Sequence, residues 1–239
     1  MNNNEISLSD CRIFFDFDNT VTLVDVIDDM VKRFSIRDDW MVLEKNWQSG
    51  EITTIECLTG QIKWLRISRP GLARYLKTIQ IDPCFSKLIN LLRKEGITPV
   101  ILSDNFEPII KVILENSGIN GLLIYANRVR FYRDRLLPSF PYQNPDCPFC
   151  AHCKKIHLQK DNYLEKKKVI YIGDGRSDFC PAMELDIVFA KGSLLRYLIK
   201  NKRPCVEFHD LSDIYDHLKE CCGNADISST VPMLKNARI

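Results

Sequence analysis

The sequence predicts an α/β fold: a parallel sheet flanked by helices, with a helical cap inserted after the first strand. Three observations lead there. The apolar run Ile13–Phe15 ends in Asp16 and Asp18, one residue apart and followed by Thr20. Buried parallel strands read as such unbroken runs, and open α/β sheets place ligands at strand carboxyl ends. Further short apolar runs, at Thr98–Ser103, Leu122–Ala126, Val169–Ile172, Ile187–Ala190 and Cys205–Phe208, alternate with segments of helical spacing. Residues 24–80 carry helical patterns and no strand signal.

Taken in order, the first strand meets two carboxylates that are costly to bury without a cation or a reaction that needs them. On the local pattern alone they read equally as an acidic turn. Val24, Ile27, Val31 and Phe34 recur at helical spacing over 24–34, with Asp25 near the start, where negative charge is favourable. Three more helices are expected at about 38–48, 53–66 and 69–79, with Gly50, Gly60 and Pro70-Gly71 as breaks or weak points. The expected division is a core of residues 1–22 and 82–239 and a cap of 23–81, hinged near 20–24 and 80–84.

A helix over 84–95 is stopped by Gly96, and the strand after it ends on Ser103, Asp104 and Asn105. Ser103 reads as an N-cap or as an anion ligand, and Asp104 as a cap for a helix starting near Phe106. Arg128–Leu137 alternates and suggests a β-ribbon, and four prolines make 138–148 irregular. Cys147, Cys150 and Cys153 stand at Cys-x-x-Cys-x-x-Cys spacing with His152 and His157 near, a pattern that can hold zinc. No second Cys-x-x-Cys pair completes a ligand set, so packed or loop thiols at the entry of a helix to about Leu164 are expected. Lys166–Lys168 reads as a solvated turn. The strand Val169–Ile172 ends in Gly173-Asp174-Gly175-Arg176-Ser177-Asp178, where the glycines permit a tight turn. Helices at 192–201 and 211–221 follow the last two strands, and the polar tail after Gly223 is expected to be poorly ordered.

Composition limits the function. The 239 residues carry 33 basic and 31 acidic side chains, which points to neither nucleic acid nor an anionic membrane surface. No apolar run approaches a membrane span, and Met1–Glu5 lacks a secretory pattern. Ten cysteines without such a pattern indicate reduced thiols in a cytoplasmic protein, monomeric or homodimeric.

Three strand ends thus carry Asp16/Asp18, Ser103 and Asp174/Asp178. Carboxylates gathered in one cleft call for a divalent cation, and all-oxygen ligands beside phosphate favour magnesium. In this order the motifs resemble the haloacid dehalogenase-like (HAD) phosphatases over about residues 11–210. Asp16-Phe17-Asp18-Asn19-Thr20 is similar to that family's first motif, Ser103 to its second, Lys154 or Lys155 to its third, and Gly173–Asp178 to its fourth. The resemblance implies a Rossmann-like core and a helical cap. It implies Asp16 as the nucleophile forming an aspartyl-phosphate and Asp18 as general acid and base. Ser103 and a lysine, taken as Lys154, would bind the phosphoryl group. Mg2+ would be held by Asp16, the Asp18 carbonyl and Asp174, with Asp178 in support directly or through water. Thr20, Asp25, Asp104 and Asn105 are the candidate substrate contacts, and the partner is a small-molecule phosphate ester. The Cys150–Lys154 context and Trp40-Met41 resemble the 2-hydroxy-3-keto-5-methylthiopentenyl-1-phosphate phosphatases of methionine salvage. Ser103-Asp104-Asn105 and Asp178-Phe179-Cys180-Pro181 are more similar to phosphocholine/phosphoethanolamine phosphatases and depart from the Ser-Gly-Gly of the salvage and phosphoserine phosphatases. The fold can also serve as a non-catalytic binding module, but here every catalytic position is filled.

Overall fold

A computed structural model describes residues 7–147, 149–165, 168–185 and 187–222. Among these, the sheet is built from β1 (Cys11–Phe15), β2 (Val100–Phe106), β3 (Leu123–Tyr132), β4 (Arg135–Ser139), β5 (Lys168–Gly173), β6 (Ile187–Ala190) and β7 (Val206–Glu207). Their order is β4-β3-β2-β1-β5-β6-β7. All neighbours run parallel except the β3–β4 hairpin. The chain builds outward from β1 on one side and returns to its other side at β5. The strand order therefore reverses at β1, and the crevice beyond the carboxyl ends of β1, β2 and β5 is where such sheets bind ligands.

Side chains of β1 alternate between two cores, as a strand period of two requires. Ile13 and Phe15 pack on one face with Phe85 and Leu88 of α5 (Phe85–Lys94) and Ile110 and Ile113 of α6 (Glu107–Asn116). Phe15 meets Phe85 edge-on at 5.6 Å. Phe14 faces the other side, with Leu158 of α7 (Lys154–Glu165), Ala182 of the short α8 (Phe179–Ala182) and Leu194 and Leu198 of α9 (Gly192–Lys200). Ile214 and Leu218 of α10 (Leu211–Cys221) complete the first face.

Between β1 and α5 lie α1 (Val26–Phe34), α2 (Trp40–Ser49), α3 (Thr54–Lys63) and α4 (Arg69–Leu76). The ends of this segment are tied side by side: Leu23 N–H donates to Gln80 O at 3.0 Å, and Asp82 N–H to Val21 O at 2.8 Å. Gly60 and Pro70-Gly71, read as breaks or weak points, leave their helices whole. Gly60 lies inside α3, where a Cβ would stand 2.6 Å from Leu43 Cδ1, so it lets α2 and α3 approach. Pro70 and Gly71 open α4, capped by Ser68, whose hydroxyl accepts the Gly71 N–H.

Two strands exceed their sequence limits. β2 runs on to Phe106 through a bulge between Ser103 and Phe106, and β3 continues beyond Ala126 into the expected ribbon, which it forms with antiparallel β4 around a turn at Arg133. The hydroxyl and amide side chains of β2 looked like a helix entry in sequence, but the bulge keeps them in the sheet. The tail after Gly223 and Lys166–Lys167 lie outside the described residues. Among the described residues no helix is long and apolar enough to cross a membrane.

Candidate active site

Asp16 follows directly on β1 and stays in register, its N–H donating to Ile172 O of β5 at 2.8 Å. The chain then turns tightly. Phe17 O accepts the N–H groups of Thr20, Val21 and Thr22, and Asn19 takes a left-handed φ of 54° that asparagine tolerates well. The turn sends the Asp18 carboxylate to the start of α1, where Val26 N–H donates to Oδ1 at 2.8 Å. Asn105, carried by the β2 bulge, donates Nδ2–H to both Asp18 oxygens at 3.0 Å.

Asp16 and Asp18 therefore sit in different surroundings. Asp16 Oδ1 lies 2.6 Å from Lys154 Nζ, which also reaches Asp178 Oδ1 at 2.7 Å and Ser177 Oγ at 3.0 Å. Burial, then the charge of Asp178, pushes the Asp16 carboxyl well above its ordinary range, and Lys154 pulls against them. Burial alone would lower Lys154, but Asp16 and Asp178 outweigh it and hold the ammonium above the usual lysine range. Asp18 is raised to about 7 by burial and then Asp25, moderated by the bonds from Val26 and Asn105.

The loop after β5 is braced from within. Asp178 Oδ2 accepts the N–H groups of Asp174 at 3.0 Å and Gly175 at 3.1 Å. Its Oδ1 takes Lys154 and the Tyr171 hydroxyl. Gly173 is required because a Cβ there would collide with the Asp178 carboxylate. Carboxylate oxygens of Asp16, Asp174 and Asp178 lie within 4.8 Å of one another, and among the described residues this is the one such group of possible metal ligands. Asp174 is raised to about 7 by burial and then Asp178. One ammonium against three converging carboxylates leaves a surplus of negative charge, and the donors are all hard oxygens. Both features fit a magnesium ion. With both Asp178 oxygens already engaged, Asp16 and Asp174 are the carboxylates free to ligate, and Asp178 fits the supporting role.

The remaining candidates divide. Ser103 is buried at the cavity; its Oγ accepts Asn105 N–H at 3.0 Å, and its carbonyl meets His152 Nδ1 at 3.0 Å. Neither Ser103 nor Asp104 caps α6, whose N-cap is Phe106 without a side-chain bond. Asp104 instead leaves Oδ1 buried without a partner, and burial raises its carboxyl to about 6. Thr20, expected at the substrate, turns its hydroxyl onto Asp174 Oδ1 at 3.1 Å and is absent from the cavity lining. Asp25 caps α1, accepting Asp28 N–H at 2.9 Å, and also lines the cavity. Lys155 pairs with Glu184 away from the site, so Lys154 is the lysine that reaches Asp16. Cys147 and Cys150 sulfurs stand 3.7 Å apart, and no three of the cysteines and histidines converge as metal ligands among the described residues.

All these strand ends open on one cavity of about 540 Å3. Its far side is formed by Asp25, Ile27, Asp28, Glu44, Trp47, Gln48, Thr54, Cys57, Leu58 and Gln61, all from residues 23–81. Sequence reasoning did not single out Glu44, Trp47 or Gln61, since each reads as an ordinary helix residue. It also passed over Tyr171 and Ser177, which brace Asp178 and Lys154. Their position inside or beside the Gly173–Asp178 segment was the one available signal.

The family model described as "Putative Phosphatase" matches residues 11–202. Phosphoserine phosphatase of Homo sapiens is 25% identical over 193 residues, spanning 79% of this chain and 85% of that protein. The 2-hydroxy-3-keto-5-methylthiopentenyl-1-phosphate phosphatase of Bacillus pumilus is 25% identical over 215 residues, 86% of this chain and 90% of that one. A solved structure of a phospho-aspartyl intermediate analogue of phosphoserine phosphatase aligns with a TM-score of 0.66 at 19% identity, covering 86% of this chain and 97% of that chain. At that identity the likeness establishes the α/β fold.

Proposed function

The chain belongs to this phosphatase family, a HAD-type family of phosphoric monoester hydrolases, and from that premise we propose that it is a magnesium-dependent phosphatase cleaving a small-molecule phosphate monoester through an aspartyl-phosphate. The observation that carries the reading is the pair of carboxylates held apart in character: Asp16 bound to Lys154, and Asp18 raised to about 7 beside Asn105. The carboxylate against the ammonium is placed to attack, and the one held by neutral donors, Val26 N–H and the Asn105 amide, is placed to carry a proton.

One Asp16 carboxylate oxygen attacks phosphorus as the bond from phosphorus to the leaving oxygen breaks. Asp18, raised to about 7 and so protonated in a large share of molecules near neutral pH, gives its proton to the departing alkoxide. The resulting Asp18 carboxylate then takes a proton from the water that attacks the aspartyl-phosphate. The Ser103 hydroxyl accepts from Asn105 N–H and so keeps its own hydrogen to donate to a phosphoryl oxygen. Lys154 neutralises charge on the same group. Magnesium held by Asp16, the Asp18 carbonyl and Asp174 would supply further neutralisation of the phosphoryl oxygens. A cytoplasmic location belongs to the same proposal, supported by Cys147 and Cys150 as free thiols whose sulfurs stand 3.7 Å apart.

The far wall of the cavity bears on the substrate. Residues 23–81 contribute three carboxylates there, Asp25, Asp28 and Glu44, and no cation. A leaving group with its own carboxylate, as in phosphoserine, would meet acidic side chains on that wall, with Arg176 and Arg196 the cations elsewhere in the lining. A neutral or cationic one would not be repelled there. Ile27, Cys57, Leu58 and Trp47 add apolar surface. These features support 2-hydroxy-3-keto-5-methylthiopentenyl-1-phosphate, whose leaving group carries no charge, first and an amino-alcohol phosphate such as phosphocholine or phosphoethanolamine second. The test is magnesium-dependent phosphate release over a panel of these esters with phosphoserine included, using Asp16→Asn as control. Preference for an ester with an uncharged or cationic leaving group, with release lost in the variant, is expected. Preference for phosphoserine would overturn the substrate reading, and release unchanged in Asp16→Asn would overturn the chemistry.

A further inference from the structure

We propose that Arg176 is a positioning residue: it latches residues 40–54 shut over the cavity and thereby tunes hydrolysis to leaving groups that reach the far wall. Arg176 stands in the braced loop after β5, one residue from Gly175, whose N–H is held by Asp178, and one from Ser177, whose hydroxyl holds Lys154. Its backbone is therefore fixed relative to the candidate reacting groups. Its side chain leaves the loop and crosses the cavity mouth.

On the other side it meets the carboxyl end of α2. The last carbonyls of a helix lack internal partners and carry the negative end of its dipole. Here the Asn46 and Trp47 carbonyls are taken by the N–H groups of Gly50 and Glu51, as Gly50 turns the chain at φ 82°. Gln48 O accepts Arg176 Nη1–H at 2.7 Å, and the guanidinium lies 5.6 Å from the Trp47 ring centre. A cation at a helix carboxyl end and over an indole face is favoured twice.

The Trp47 ring is itself aimed. Its Nε1–H donates to Thr54 Oγ1 at 3.0 Å, and Thr54 N–H donates to Phe149 O at 2.9 Å. Phe149 belongs to the cysteine-bearing segment that leads into Lys154. A single strap thus runs from the Asp174–Asp178 loop through Trp47 and Thr54 to the segment preceding Lys154, with two elements of the core joined across the mouth. Arg176 is exposed, so its bonds compete with water and can break each turnover. A latch at the rim suits a cap that must reopen for product.

The test compares Arg176→Ala and Arg176→Lys with the parent protein, by two readouts. Hydrogen exchange is followed on peptides spanning residues 47–54 and, as a fold control, on β1 and β5. In Arg176→Ala the Thr54 segment is expected to exchange at least about fivefold faster with the control strands unchanged, and Arg176→Lys to recover part of the protection. Kinetics are followed on the preferred ester and on acetyl phosphate, whose small leaving group does not span the cavity. The alanine variant is expected to lose about tenfold or more in kcat/KM on the ester, mostly in KM, and less than about threefold on acetyl phosphate. Unchanged exchange at the Thr54 segment would overturn the latch. Equal losses on both substrates would overturn it too, since Arg176 would then act on the phosphoryl group. The kinetic arm rests on the phosphatase reading, while the exchange arm does not, so failure of the chemistry in Asp16→Asn is distinguishable from failure of the latch.

Discussion

Lys154 Nζ lies 2.6 Å from Asp16 Oδ1 with the lysine side chain fully buried, so the α7 entry and the β1 exit share one charge pair at the base of the cavity. The ammonium serves Asp178 as well, at 2.7 Å. Lys154→Ala is expected to lower kcat by about a hundredfold or more, the scale of losing one preorganised charge stabiliser. It also leaves two buried carboxylates without a counter-ion, a cost of about 3–5 kcal/mol. Lys154→Arg restores charge but does not fit a site shaped for one ammonium, and is expected to recover little activity. Steady-state kinetics and urea unfolding of both variants check this; full activity in Lys154→Ala would remove the lysine from the mechanism.

Asn105 sets the acidity of Asp18. Its amide donates to both carboxylate oxygens at 3.0 Å and so favours the ionised form, against the burial that raises Asp18 to about 7. In the proposed mechanism cleavage of the ester needs Asp18 protonated, so kcat/KM is expected to fall as pH rises past about 7. Asn105→Ala removes a bond to the charged form and should move that basic limb to higher pH while lowering the plateau. A limb that stayed in place or moved down would contradict the assignment.

Magnesium binding should separate Asp174 from Asp178. Asp174 keeps an oxygen open beside the one that takes Thr20, whereas both Asp178 oxygens are engaged by Lys154, Tyr171 and the Asp174 and Gly175 amides. A cation bound only by the folded protein stabilises it by about 2.7 kcal/mol at a hundredfold excess over its Kd. Thermal unfolding with and without magnesium is expected to show this gain in the parent protein and its loss in Asp174→Asn. Asp178→Asn should lower stability without magnesium as well. Equal metal responses in the two variants would rule out the division of roles.

Asp25 makes stability depend on pH. Burial and then Asp28 raise it to about 7 from an ordinary value of 3.8. The folded state then holds a proton that the unfolded chain releases, so this contribution is fully present below pH 3.8 and is lost as pH rises through about 7. Asp25→Asn keeps an oxygen to cap α1 and removes the ionisation. It is expected to gain at least about 1 kcal/mol over the parent at pH 8 relative to pH 4, measured by denaturant unfolding. An identical difference at both pH values would show Asp25 to be ordinary in the folded state.

Much of this protein was legible in the chain alone. The run Ile13–Phe15 ending on Asp16 and Asp18, and Val169–Ile172 ending on Gly173 and Asp174, identify buried parallel strands with carboxylates at their exits, because apolar period and breaker residues are local signals. The helical character of 24–80 was legible for the same reason. The partners of each side chain were not, since they depend on contacts between residues far apart in sequence. Only the folded chain decided between Lys154 and Lys155, 138 residues from Asp16, through which of two adjacent side chains α7 turns inward. Only the β2 bulge placed Asn105 on Asp18 and withdrew Ser103 and Asp104 from capping α6. Thr20 sits in the same short motif as Asp16 and Asp18, yet the tight turn at Phe17 directs it to Asp174 instead of the cavity. Trp47 and Glu44 carry no local mark, and Arg176 only its place in the Gly173–Asp178 segment: their roles appear when α2 is laid across the mouth of the sheet, an arrangement set by packing and not by any pattern a linear reading contains.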